Sequence, residues 1–138
     1  MENIIKIQKN IEVIEKYIKI LEEFNINSVE DFNSKTHDNL AISMSLFTIL
    51  NACIEIGEEL ITIKKLEVPM SYREIFSILS KHNILSKETS QKISNYMYYR
   101  NMIAHQYDEI DITKIYYVFE NKDFFKTFIL EIKDILKQ

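Results

Sequence analysis

A chain of 138 residues that is 46% hydrophobic suits one helical domain spanning 1–138, and its single glycine and single proline exclude turn-rich β architectures, which leaves an all-α bundle of five or six helices. One cysteine, Cys53, excludes an internal disulfide and points to a reducing, cytoplasmic setting. A net charge of −4 excludes a general coat for nucleic acid, so any contact with RNA falls at a local cationic site.

The N-terminal residues Met1 to Ile4 lack the basic start and apolar core of a signal peptide. From residue 3 to 24, Ile4, Ile7, Ile11, Ile14, Ile18 and Leu21 recur at spacings of three and four, which predicts an amphipathic helix. Asn25 to Ser34 reads as a polar connection with Val29 and Phe32 turned inward. Lys35 to about Leu66 reads as one long helix, apolar nearly all round. Asn51, Glu55, Glu58 and Glu59 interrupt it, which argues against a membrane span. Such a helix needs cover on several faces, so it forms the centre of the bundle or meets a second subunit. Gly57 lies inside it, where glycine costs about 1 kcal/mol relative to alanine, and implies close approach of another helix.

Pro69 is expected to end that region. Ser71, with Glu74 three residues on, caps a short helix over Tyr72 to Ser80, and His82-Asn83 breaks it. Ser86 caps the next helix, which runs from about Lys87 to at least Ile103. Asp111 caps a helix over Ile112 to Phe119, and Asp123 to Lys137 is a last amphipathic helix.

The fourth of these helices carries Arg100 at its C-terminal end, and Arg100, Asn101, His105 and Tyr107 fall within eight residues. Arginine offers a planar set of donors that matches a phosphate. Histidine titrates near neutral pH and can take a proton from a ribose hydroxyl or return one to a leaving oxygen. The pair therefore suits metal-independent RNA cleavage, with Arg100 stabilising the phosphorane. Five residues apart on a regular helix, two side chains diverge by about 140° and rise about 7.5 Å. They meet only if the helix ends or loosens between them, or if each reaches one cleft from its own side. One imidazole must also serve as both acid and base, a difficulty that a two-fold dimer with two motifs in one cleft removes. The long apolar helix, Gly57 included, is the expected dimer surface.

Arg100-Asn101-xxx-His105-x-Tyr107 resembles the R-N-x-x-x-H-x-Y signature of the HEPN superfamily in its HepT-like toxin branch. The segments Ile54 to Glu58, Pro69 to Phe76 and Tyr107 to Asp111 extend the resemblance over nearly the whole chain in order. It implies a helical bundle that dimerises, an RNase cleft made by two motifs, and a toxin–antitoxin pair. Arg100 and His105 carry over as catalytic residues and Asn101 as a polar residue that shapes the site. No cofactor and no metal are implied. The implied partner is an MntA-like minimal nucleotidyltransferase antitoxin, which transfers AMP from ATP to the tyrosine at the position of Tyr107. Negative phosphate so close to His105 would block the cleft and repel RNA.

Plainer readings stand beside these. Arg100 can be a helix-end salt bridge and His105 a C-terminal cap, in a purely structural bundle or in a non-catalytic helical substrate-binding partner of a nucleotidyltransferase. Tyr96, Tyr98 and Tyr99 read as packing residues, with one at the cleft rim. Glu55, Glu58 and Glu59 read as a solvated or interface edge rather than a metal site. His37 and His82 receive no chemistry, and Cys53 reads as a small buried apolar residue.

Overall fold

The computed structural model describes residues 1–105 and 111–138. These form α1 (Glu2–Glu22), α2 (Val29–Ser34), α3 (Thr36–Lys64), α4 (Tyr72–Lys81), α5 (Lys87–His105), α6 (Ile112–Glu120) and α7 (Phe124–Leu136). The described residues thus hold seven helices and no strand, an all-α fold with one helix beyond the five or six expected.

The additional helix is α2, in the stretch expected to be a polar connection. Ser28 accepts a hydrogen bond from the Asp31 amide at 3.0 Å and caps it. Its Phe32 is fully buried, with ring centroids 5.6 Å from Tyr116 and 6.4 Å from Phe119 of α6. Six residues are too few to display a helical repeat; a serine cap and one aromatic anchor are enough to form the turn.

The stripe on α1 is as the spacing predicts. Ile7, Ile11, Ile14, Ile18 and Leu21 are buried, and α1 lies along α3. Burying side chains of this kind contributes about 1.5–3 kcal/mol each. Helix α3 is long and apolar enough to cross a membrane by length and composition, yet α1, α4 and α5 cover it, and that cover accounts for its apolarity. It stops at Lys64, well before Pro69. Lys65 turns into the left-handed region (φ 55°), and the Leu66 amide closes back on the Ile61 carbonyl at 3.0 Å.

Gly57 permits the close approach its position implied, but the neighbour is α4 of the same chain. A Cβ at residue 57 would lie 2.5 Å from Cγ2 of Ile75 and 3.6 Å from Leu79 and Phe76. Gly57 is therefore core and not part of a subunit interface, which corrects the expectation above. The large apolar side chains that α3 leaves exposed are Leu40, Met44 and the edge of Ile63.

The caps at Ser71, Ser86 and Asp111 form as expected, accepting from the amides of Glu74, Thr89 and Thr113. Asn83 takes the left-handed conformation (φ 61°) where α4 ends, one that asparagine tolerates. Cys53 is buried, and burial pushes its thiol pKa up, away from reactivity.

Candidate functional site

Helix α5 is fastened to α4 before it reaches the motif. Ser90 Oγ donates to the Phe76 carbonyl at 2.7 Å and Ser94 Oγ to the Arg73 carbonyl at 3.3 Å. Ile93 and Met97 are fully buried, and Tyr96 packs edge-on against Phe124. With that face fixed, the last turns of α5 present Arg100 half-buried and Asn101 and His105 exposed.

Arg100, Asn101 and His105 line one groove of about 620 Å³, together with Glu58 of α3, Pro69, Met70 and Ser71 of the α3–α4 connection, and Tyr72 and Ile75 of α4. That volume suits a small ligand or one nucleotide unit of a longer one. The helix is continuous through residue 105, so it neither ends nor loosens between Arg100 and His105. They share the groove by reaching it from their own sides. Asn101 and His105 are four residues apart on one face, and Asn101 Oδ1 accepts from Arg100 Nη1 at 3.2 Å.

The guanidinium is tightly placed. Its Nε donates to Asn51 Oδ1 at 2.8 Å, across 49 residues of chain. Its carbon lies 5.2 Å from the ring centroid of Phe47 and 5.0 Å from that of Tyr72, within cation–π range of both. Among the described residues no carboxylate forms an ion pair with it. The helix-end salt bridge offered as the plainer reading of Arg100 is thus not what these residues make.

Glu58 brings negative charge to the same groove. Its carboxyl pKa is raised, first by burial and then by the nearby carboxylates of Glu55 and Glu59. From the sequence Glu58 reads as part of a solvated or interface edge, and no motif there singles out Asn51, Phe47 or Tyr72. A signal was present: Asn51, Glu55 and Glu58 fall at spacings of four and three, one polar stripe on an otherwise apolar helix. Glu59 faces elsewhere, paired with Lys6 at 3.8 Å and hydrogen-bonded by Asn3.

Of the tyrosines, Tyr96 is buried, Tyr99 is partly buried against the core, and Tyr98 is exposed with Lys114 Nζ 5.9 Å from its ring centroid. His82 braces the connection that forms the groove rim, 2.6 Å from Glu67. The Glu67 carboxyl pKa is lowered to about 2, by the Lys81 hydrogen bond first and then by a backbone hydrogen bond and the one from His82. Tyr107, the expected AMP acceptor, lies outside the described residues. Among the described residues no cluster of histidine, cysteine, aspartate and glutamate could hold a metal ion.

Comparison with known proteins places this geometry in context. The family model described as Ribonuclease HepT-like matches residues 14–132. The tRNA nuclease HepT of Aphanizomenon flos-aquae is 31% identical over 112 residues, covering 80% of this chain and 75% of that protein. The mRNA nuclease HepT of Shewanella oneidensis is 26% identical over 94 residues, covering 67% and 71%. Among solved structures, the tri-AMPylated Shewanella oneidensis HEPN toxin in complex with MNT antitoxin superposes with a TM-score of 0.83 at 23% identity, covering 94% of this chain and 97% of that one.

Proposed function

The chain belongs to the ribonuclease HepT-like family, and on that premise we propose that it is the endoribonuclease toxin of a toxin–antitoxin pair, cleaving RNA without a metal at Arg100 and His105. The observation that carries the reading is the shared groove: a guanidinium with no ion-pair partner among the described residues and an exposed imidazole line one cleft. A neutral His105 takes the proton from a ribose 2′-hydroxyl, and the 2′-oxygen attacks the adjacent phosphorus. Arg100 neutralises charge gathering on the phosphorane oxygens. A protonated imidazole then gives its proton to the departing 5′-oxygen, leaving a 2′,3′-cyclic phosphate and a 5′-hydroxyl. Asn101 orients the guanidinium from beside it.

Two imidazoles in opposite protonation states are supplied by a homodimer that brings two grooves together. Leu40 and Met44, exposed on the α3 stripe that continues to Asn51, offer apolar surface for that pairing. The substrate is RNA; one curated relative is a tRNA nuclease and the other an mRNA nuclease, so the family alone does not choose between these classes. The partner is a nucleotidyltransferase antitoxin that transfers AMP to Tyr107, adding phosphate charge two residues from His105. The related toxin that is tri-AMPylated in complex with its antitoxin supports this reading.

The test is RNA cleavage by purified protein whose intact mass shows no added AMP, beside Arg100→Ala and His105→Ala. The expected result is loss of at least about a hundredfold in kcat for each. RNA left equally intact by all three would remove the enzyme and favour the substrate-binding role. Incubation with the antitoxin and ATP should add discrete AMP masses that Tyr107→Phe abolishes.

A further inference from the structure

We infer that Asn51 is a positioning residue that holds the Arg100 guanidinium with a neutral acceptor, so that its full positive charge remains available to the RNA phosphate; this rests on the role given to Arg100 above.

A guanidinium carries five N–H donors on a plane. Here Asn51 takes Nε at 2.8 Å, Asn101 takes one donor of Nη1 at 3.2 Å, and the rings of Phe47 and Tyr72 lie 5.2 and 5.0 Å from its carbon. Both acceptors are amides. The rings attract the cation through their quadrupoles and shield it from water without cancelling its charge. The Nη2 donors have no partner among the described residues, and the group lines the groove. A carboxylate at position 51 would hold the same Nε–H more strongly but would pre-neutralise the cation. Phosphate would then meet a group already paired. The groove also holds Glu58, so a carboxylate at position 51 would set two anions against one guanidinium and turn the groove against RNA phosphate.

The experiment compares Asn51→Asp, Asn51→Ala and Arg100→Ala with wild type, in RNA cleavage, in melting temperature, and in binding of a short oligouridylate on a His105→Ala background over a range of salt. Asn51→Asp is expected to melt no lower than wild type yet lose at least about tenfold in kcat, and its plot of log Kd against log salt should flatten by about 0.7, the value of one phosphate contact on a single strand. Asn51→Ala is expected to lose kcat with its salt slope unchanged. A merely structural asparagine predicts the reverse: Asn51→Asp keeps the hydrogen bond, the rate and the slope. If Arg100→Ala cleaves like wild type, the catalytic reading of Arg100 fails. If Arg100→Ala is inactive while Asn51→Asp is fully active, only the role of Asn51 fails. Should Asn51→Asp not fold, Asn51→Ala decides: reduced kcat at an unchanged melting temperature supports the role, and a wild-type kcat overturns it.

Discussion

Gly57→Ala tests whether the α3–α4 contact sets the groove. In an exposed helix this change would stabilise by about 1 kcal/mol. At residue 57 the added methyl would stand 2.5 Å from Ile75 Cγ2, against the 3.5–4.0 Å at which carbon atoms rest. That Cγ2 is bonded directly to Cβ of a branched residue, which a helix holds almost entirely in one rotamer, and Ile75 is fully enclosed. Relief must therefore come from moving α4 by about 1 Å, at an overpacking cost of about 1–3 kcal/mol. Set against the gain of about 1 kcal/mol, this leaves a net destabilisation of up to about 2 kcal/mol, a fall in Tm of up to about 8 °C for a chain of this size. Ile75→Leu removes the clashing branch and should rescue Gly57→Ala, with a coupling of at least about 1 kcal/mol in the double-mutant cycle. Because α4 carries Tyr72 over Arg100, RNA cleavage should drop in the single variant and recover in the double. Urea and thermal unfolding supply the stabilities. A Gly57→Ala protein about 1 kcal/mol more stable than wild type, or strictly additive variants, would refute the argument.

Three further outcomes are expected. Glu58 has a raised carboxyl pKa in the folded chain, so the fold binds the proton more tightly than the unfolded chain does. Stability then declines as pH rises from the ordinary carboxylate range through the folded value; Glu58→Gln should flatten that decline in melting scans and lower KM for RNA, and an unchanged pH profile would contradict it. Ser71→Ala removes the cap on α4 and should cost about 1 kcal/mol in urea unfolding. Leu40→Glu with Met44→Glu places charge on the exposed stripe of α3; helicity by circular dichroism should hold while sedimentation shows monomers and cleavage stops, and an active monomer would refute the composite cleft.

The helical class, the buried stripe of α1, the caps at Ser71, Ser86 and Asp111, and the placement of Arg100 and His105 near the end of one helix were all legible in the residues. These follow from interactions spanning four residues or fewer, in which period, cap chemistry and the scarcity of glycine and proline act locally. The short helix α2 escaped because six residues hold less than two turns, too little for a pattern. Gly57 announced a close neighbour but not which one; packing made it Ile75 of α4 rather than a second subunit. Asn51 read as a mere interruption of an apolar run until tertiary contact set it 2.8 Å from a side chain 49 residues away. Local periodicity determines which face of a helix is polar. Only the docking of α4 and α5 on α3 determines which polar group on that face meets the guanidinium, because that choice depends on interhelical distances that no single helix encodes.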